Sequence, residues 1–130
     1  MASVLIVDDQ SDILELSTEL LESAGHRVKT GRNGEEGLRS LAAGPLPDCV
    51  LLDVDMPVLN GPGMAHRMLL HEAGQERIPI VLVSGRGDLA EVAGCVGTPY
   101  FVAKATPDYG RALLATLDLA IRERRAPAAA

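Results

Sequence analysis

Four short apolar runs in this chain end in polar side chains that can bind cations or phosphoryl groups. Asp8 and Asp9 follow the first run, Asp53 the second, Ser84 the third and Lys104 the fourth; the runs read VLIV, CVLL, IVLV and YFVA. Short apolar runs separated by helical patterns are typical of parallel strands buried on both faces. Open sheets of this kind bind ligands at the carboxyl ends of their strands. The sequence therefore predicts three carboxylates, a hydroxyl and an ammonium group at one edge of a sheet.

These groups suit a site for a divalent cation and a phosphoryl group. Magnesium prefers oxygen ligands and keeps several waters, so the carboxylates of Asp8, Asp9 and Asp53 suffice, and the cation would remove their mutual repulsion. An aspartate can act as a nucleophile that forms an acyl phosphate. A phosphoryl group on Asp53 would carry a charge of roughly −2 near neutral pH, which the cation and Lys104 would offset. The Ser84 hydroxyl and the backbone N–H of Gly85 are expected to hold a phosphoryl oxygen.

The residues between these groups predict five strands and five helices in strict alternation, and hence an α/β fold. Capping residues, glycines and prolines set the expected bounds. The strands are predicted at about Ser3–Val7, Arg27–Thr30, Cys49–Asp53, Ile80–Val83 and Tyr100–Ala103, and the helices at about Ser11–Ala24, Asn33–Ala43, Asn60–Glu72, Asp88–Ala93 and Thr106–Ile121.

Three of these elements carry further expectations. The second strand alternates polar and apolar residues, which predicts a strand at the edge of the sheet. The fourth helix is expected to be short, because Gly94 and Gly97 disfavour a longer one. The first helix is expected to bury one apolar face, made by Ile13, Leu16, Leu20 and Leu21.

The composition excludes several classes of function. A chain of 130 residues with 47% hydrophobic residues predicts one folded domain. The net charge of −6 disfavours nucleic-acid binding, and the near absence of aromatic residues disfavours platforms for stacking bases. No apolar run approaches about 18 residues and no signal-peptide pattern is visible, so we expect no membrane span and a cytoplasmic protein.

The other reactive side chains are assigned to the core or the surface. Cys49 lies within a predicted buried strand, and Cys95 forms no metal-binding spacing with it. Met64 and Met68 lie four residues apart on the third helix and are expected in the core. The histidines follow no metal-ligand pattern and are expected on surface or helix positions: His26, His66 and His71.

An ordered set of motifs carries a family resemblance. The set comprises VLIVDD at residues 4–9, LLDVDMP at 51–57 followed by Asn60-Gly61, Ser84-Gly85, and FVAK at 101–104. With these motifs the chain resembles the receiver domain of bacterial two-component response regulators over about residues 3–122. The resemblance implies a flavodoxin-like, doubly wound five-stranded parallel sheet in the order 2-1-3-4-5, with helices on both faces. It also implies a receiver domain at 1–122 and a disordered tail or linker stub at 123–130.

The resemblance assigns a role to each site residue. Asp53 corresponds to the phospho-acceptor, and Lys104 to the lysine that pairs with the phosphoryl group. Asp9 and Asp53 correspond to direct Mg²⁺ ligands, with Asp8 acting through water and Asp55 through its main-chain carbonyl. The switch residues are expected to be the Ser84 hydroxyl and the Phe101 ring, which turns inward on activation.

Two departures from the family pattern predict altered behaviour. The family usually has a proline after its lysine, commonly joined by a cis bond, whereas this chain has Ala105. A cis bond to a residue other than proline costs roughly 3 kcal/mol, so the loop holding Lys104 is expected to differ in shape or mobility. In the family, the fourth helix normally forms part of the signalling face. Because this helix is expected to be short here, a changed output geometry is expected.

The resemblance predicts a phosphorylation-controlled switch. A sensor histidine kinase or phosphotransfer protein would donate the phosphoryl group to Asp53 in a magnesium-dependent reaction. An unknown downstream protein would bind the phosphorylated chain. The chain would catalyse only its own phosphorylation and dephosphorylation, and would be no turnover enzyme. It would be either a stand-alone receiver or a receiver from a larger regulator or hybrid kinase.

Three other interpretations compete with this one. The first is an interaction module with the receiver fold that takes no phosphate, against which the full acidic triad and the lysine argue. The second is a haloacid-dehalogenase-type phosphatase, whose motif begins like Asp53-x-Asp55. That family places its motif near the chain start and does not have proline at the position of Pro57. The third treats the carboxylates as solvated groups at strand ends, with no site.

Overall fold

A computed structural model describes residues 2–104 and 106–125 of the chain. Strands and helices alternate strictly, as the sequence predicts. A single 3-10 turn at Gln75–Arg77 precedes the fourth strand. The elements are β1 (Ser3–Val7), α1 (Ser11–Ser23), β2 (Arg27–Gly31), α2 (Gly34–Ala43), β3 (Cys49–Asp53), α3 (Gly61–Leu69), β4 (Ile80–Ser84), α4 (Leu89–Val96), β5 (Tyr100–Ala103) and α5 (Tyr109–Arg125).

The five strands form one parallel sheet in the order β2-β1-β3-β4-β5. The registers pair Val7 with Leu52, Asp53 with Val83, and Ser84 with Ala103. Neighbouring strands therefore end at the same edge, with their polar terminal residues together. The predicted fold and strand order are confirmed, and so is the edge position of β2.

Helices cover both faces of the sheet because alternate strand residues enter two separate cores. One core contains Ile6 and Leu51 with apolar residues of α1 and α5. The other contains Val7 and Leu52 with apolar residues of α2, α3 and α4. All five residues of β3, at the centre of the sheet, are buried. In this doubly wound arrangement, β1 and β3 are packed from both faces up to their carboxyl ends.

The core assignments for the sulfur-containing residues are confirmed, but one helix face is not. Cys49 is buried, and so are Met64 and Met68. On α1, Leu16 is exposed, whereas Ser17 is buried in its place. The buried stripe of a helix follows a period of 3.6 residues, and here it runs through Ser17 and Leu21 rather than through Leu16.

The ends of three helices differ from the prediction. The third helix stops at Leu69 instead of Glu72, because the chain turns there and reaches a left-handed Gly74 with φ of 111°. The fourth helix extends to Val96. It continues through Gly94, which faces open space, and ends at Gly97, which has a left-handed conformation. The fifth begins at Tyr109, two residues after Pro107, and continues to Arg125. Residues 123–125 of the predicted tail are therefore helical, and 126–130 lie outside the described residues.

The loop after Asp53 is closely packed, and this bears on the site. The Gly61 N–H donates to the Val54 carbonyl, and a Cβ at Gly61 would overlap the carbonyl oxygen of Asp53. Val58 has a φ of 71°, and around it the Leu59 N–H donates to the Pro57 carbonyl at 2.8 Å. Glycine at position 61 thus permits α3 to begin directly against the end of β3.

Candidate functional site

The carboxylates predicted from the strand ends lie together. Ligand oxygens of Asp8, Asp9 and Asp53 are all within 4.8 Å of one another. Asp8 and Asp53 are buried, whereas Asp9 is exposed. The cause is the parallel pairing of β1 with β3, which ends both strands at one level. Within residues 2–104 and 106–125, this is the one cluster of three or more metal-ligating side chains.

Lys104 extends into this acidic cluster from the end of β5. Its Nζ lies 2.8 Å from Asp8 Oδ2 and 3.3 Å from Asp53 Oδ1, and its side chain is only 8% exposed. The Lys104 backbone N–H donates to the Ser84 carbonyl at 2.9 Å, which holds the residue against β4. A buried ion pair of this kind contributes mainly when every charged atom has a partner.

Gln10 supplies the third partner of Lys104, a contact that sequence reasoning missed. Lys104 Nζ donates to Gln10 Oε1 at 2.8 Å. The Gln10 backbone N–H in turn donates to Asp8 Oδ1 at 2.9 Å, at the position that precedes α1. An ammonium group carries three N–H donors. Two carboxylates engage only two of these donors, so the number of donors indicated from the sequence that a third acceptor should lie nearby.

The pKa of Asp53 lies near neutral pH. Burial raises the pKa of Asp53 from 3.8 to about 7, and the negative charge of Asp8 adds to the increase. The positive charge of Lys104 and its hydrogen bond act in the opposite direction. A carboxylate that protonates in this range gains most from a further cation, because the cation stabilises only the charged form.

Asp9, Asp53 and Lys104 border an open cleft of about 840 Å³ at the carboxyl edge of the sheet. Ser84 lies on its wall and is buried, and its Oγ accepts a hydrogen bond from the Arg86 N–H at 3.1 Å. Phe101, the predicted switch aromatic, lies on β5 with 42% of its surface exposed. The ring therefore faces outward, while Ser84 faces the cleft.

Arg86 forms an ionic clamp across the mouth of the cleft. Its Nη1 lies 3.1 Å from Asp55 Oδ1. Its Nε and Nη2 donate to the two carboxylate oxygens of Asp88, at 2.8 Å and 2.9 Å. Sequence reasoning missed this role of Asp88. Asp88 is the N-cap residue of α4, but its side chain makes no capping hydrogen bond to the helix. The ion pair with Arg86 explains this, because it engages both oxygens of the carboxylate.

The donor set fits magnesium. Three carboxylates offer oxygen ligands at one end of an open cleft, where waters can complete an octahedral shell. The side chain of Asp55 is engaged by Arg86, which leaves its main-chain carbonyl as the predicted ligand.

The remaining predictions fall outside this site. His26 lies at the opposite end of β1, where its Nδ1 accepts the Ala2 N–H at 3.1 Å. His66 and His71 are exposed on and after α3. The expected effect of Ala105 concerns a residue outside the described part of the chain. No helix within residues 2–104 and 106–125 is long and apolar enough to cross a membrane.

The site and the fold identify the class of the protein. The model of the response regulator receiver domain family matches residues 4–111. The chain belongs to this family.

Three relatives illustrate the range of proteins that share this domain. PilH of Pseudomonas aeruginosa is 42% identical over 84 residues, 65% of this chain and 68% of PilH. The phosphoglycerate transport regulatory protein PgtA of Salmonella typhimurium is 34% identical over 95% of this chain but 29% of PgtA. A CpxR homologue of Haemophilus influenzae is 33% identical over 98% of this chain and 53% of its own length. The chain thus spans only part of each relative.

Solved structures agree with this assignment. The chemotaxis protein CheY4 of Vibrio cholerae is 26% identical, with a TM-score of 0.81 over 92% of this chain and 98% of CheY4. A receiver domain protein of Clostridium thermocellum is 27% identical, with a TM-score of 0.83 over 96% of this chain and 98% of that one. Both match the chain as a separate receiver-sized unit.

Proposed function

We propose that the chain accepts a phosphoryl group on Asp53 in a magnesium-dependent reaction and signals by protein–protein contact. The observation that carries this proposal is the placement of Lys104 between two buried carboxylates at the edge of an open cleft. Desolvation of a buried ion pair largely offsets its attraction, so a gain in stability is a weak explanation for this lysine and a ligand-binding role is a better one. Phosphoryl transfer is a reaction that needs mainly positioning and charge stabilisation.

The proposed step is an in-line displacement. A carboxylate oxygen of Asp53 attacks phosphorus, an O–P bond forms, and the P–N bond of the donor's phosphohistidine breaks. The imidazole that leaves takes up a proton. Lys104 already lies 3.3 Å from Asp53 Oδ1 and would follow the charge onto the phosphoryl oxygens. Bound magnesium, held by Asp8, Asp9 and Asp53 and by the Asp55 carbonyl, would supply further positive charge against those oxygens.

Ser84 and Phe101 would then change position in response to the phosphoryl group. The Ser84 hydroxyl lies on the cleft wall, where a phosphoryl oxygen on Asp53 would attract it. Movement of Ser84 would vacate space that the exposed Phe101 ring can fill. The free-energy bias toward the switched state equals the differential affinity of the phosphoryl group for the two states.

The partners follow from this chemistry. The donor is a sensor histidine kinase or phosphotransfer protein, and the recipient of the signal is an unidentified protein rather than nucleic acid. The chain is its own catalyst for phosphorylation and dephosphorylation and does not turn over a separate substrate. We place the receiver domain at residues 1–125, up to the end of α5, with 126–130 as a tail or linker. We place the protein in the cytoplasm, where kinases have access to ATP.

The intact mass of the protein after incubation with acetyl phosphate tests the proposal. We expect an increase by one phosphoryl group in Mg²⁺, none in EDTA, and none for Asp53→Asn. The matched control is Asp12→Asn, which removes a carboxylate from the same cleft but outside the cluster and should be phosphorylated like the wild type. An adduct that forms equally well in EDTA, or that survives in Asp53→Asn, would refute the proposal. The absence of an adduct in Mg²⁺ would favour an interaction module that takes no phosphate.

The clamp at the cleft mouth should set the lifetime of the acyl phosphate. Arg86 and Asp55 pair at the cleft that contains Asp53, where they would obstruct an attacking water. We expect Arg86→Ala and Asp55→Asn each to accelerate dephosphorylation several-fold, measured by loss of the adduct after removal of acetyl phosphate. Arg67→Ala is the matched control, because it breaks an equally exposed pair, with Glu35, away from the cleft. Unchanged lifetimes in both clamp variants would show that the ion pair does not control access of water.

The readout surface should include α4, β5 and the start of α5. Ser84 directly precedes the α4 loop, and Phe101 and Lys104 flank the end of β5. Hydrogen exchange of the protein with and without beryllofluoride and Mg²⁺ should therefore change within residues 85–109. Changes confined to the loops after Asp9 and Asp53 would place the output elsewhere, with α1 as the next candidate.

A further inference from the structure

A buried pair of hydroxyl groups lies directly beneath the acidic cluster. Ser17 of α1 and Tyr109 of α5 are both buried, and their hydroxyl oxygens are 2.7 Å apart. They line a small cavity of about 10 Å³ whose other polar walls are Asp8 and Asp53. The pair therefore lies on the inner side of two members of the acidic cluster, of which Asp53 also lines the cleft.

The number of protons in this pair points to a further acceptor. Two hydroxyl groups carry two protons, and the bond between Ser17 and Tyr109 uses one of them. The second is available to the cavity. The cavity is about large enough for one water, which would accept from the hydroxyl pair and donate to two carboxylates. Each carboxylate oxygen has lone pairs beyond those that Lys104 and Gln10 engage.

Electrostatics agree with a donor role for Tyr109. Burial raises the pKa of Tyr109, and the negative charges of Asp8 and Asp53 add to the increase, whereas the hydrogen bond with Ser17 lowers it. The hydroxyl therefore keeps its proton and can donate it. A phenylalanine would fill the same apolar space, so packing alone does not explain the oxygen.

We propose that the Ser17–Tyr109 hydroxyl pair binds one buried water and, through it, positions the carboxylates of Asp8 and Asp53 from the inner side. Ser17 and Tyr109 are positioning residues, since they act on the site through the water. The proposal deepens the proposed function, because it rests on magnesium binding by these carboxylates. It also links the acidic site to the packing of α1 against α5.

The chain carries its own probe for this link. It contains no tryptophan and only two tyrosines, Tyr100 and Tyr109. In Tyr100→Phe, tyrosine fluorescence reports Tyr109 alone, and we expect it to change on titration with MgCl₂. The matched variant Tyr109→Phe leaves Tyr100, whose hydroxyl bonds to the exposed Glu123, and its fluorescence should not respond.

Calorimetric titration with MgCl₂ separates this inference from the proposed function. We expect Tyr109→Phe and Ser17→Ala each to weaken magnesium binding about fivefold, the effect of one neutral hydrogen bond, with no further loss in the double variant. Tyr100→Phe should bind like the wild type. If the wild type bound no magnesium, the proposed function would fail.

If magnesium bound while Tyr109 fluorescence and the affinities of both variants stayed unchanged, this inference alone would be overturned. A purely structural role for the pair predicts that second result, with lower thermal stability in the variants. Ser17→Ala keeps the test decisive if Tyr109→Phe does not fold, because it removes the pair without changing the ring.

Discussion

Replacement of Lys104 by methionine should lower the free energy of unfolding by about 3 kcal/mol in EDTA at about pH 8. The variant keeps the buried stem of the side chain but leaves Asp8 and Asp53 without the cation that lies 2.8 Å and 3.3 Å from them. Removal of one partner from a buried ion pair is costly because the other charges stay buried without compensation. Urea denaturation measures the change.

Magnesium should restore part of this loss, since it offers a second cation to the same carboxylates. The chain has only one other lysine, Lys29, which is exposed on β2, and Lys29→Met is the matched control with little expected effect. If Lys104→Met and Lys29→Met were equally stable, the ion pairs of Lys104 would not stabilise the fold. If magnesium stabilised neither Lys104→Met nor Lys29→Met, the cluster would not be a cation site.

The metal-free protein should lose stability as the pH rises toward 8. The pKa of Asp53 is about 7 in the folded protein against an ordinary value of 3.8. Between these values the folded state holds a proton that the unfolded chain has released, so stability falls with rising pH. The stabilisation is fully present below about pH 4 and is lost as the pH rises through about 7, with a total of about 2 kcal/mol between pH 5 and 8.

The comparison with Asp53→Asn isolates this effect. The variant cannot titrate at residue 53, so it should lack the decrease and should exceed the wild type in stability in EDTA at about pH 8. Magnesium should raise the melting temperature of the wild type more at pH 8 than at pH 6, because it competes with the proton. Parallel pH profiles for wild type and Asp53→Asn would show that Asp53 is not poised near neutrality.

The sequence was sufficient to predict which side chains meet at this edge, because they lie on strand ends. Asp8, Asp53, Ser84 and Lys104 each follow an apolar run, and a parallel sheet brings such positions to one edge regardless of loop details. The strand order was not derivable from periodicity and came from the family resemblance.

The contacts that sequence reasoning missed all depend on side chains from separate elements. Gln10 reaches Lys104 across 94 positions, and Ser17 reaches Tyr109 across 92. Neither pair has a local pattern, because a polar residue on a helix is as compatible with solvent as with a buried partner. Asp88 was missed for the related reason that an N-cap residue ordinarily bonds its own helix.

The helix ends were missed because local preferences there are weak. Gly94 suggested an early end to α4, yet one glycine costs only about 1 kcal/mol and the helix continues to Val96. Pro107 suited a first helical position, but the chain makes a turn there and α5 begins at Tyr109. Such differences of a few residues are decided by tertiary packing rather than by the capping pattern.

Chemical location of the phosphoryl group tests the central claim most directly. The wild-type protein is incubated with acetyl phosphate and Mg²⁺, reduced with borohydride, which converts an aspartyl phosphate to homoserine, and digested for sequencing by mass spectrometry. The account predicts homoserine at position 53 and unchanged aspartate at positions 8, 9 and 55. Conversion at any of those three positions, or phosphate on Ser84 with position 53 unmodified, would contradict it.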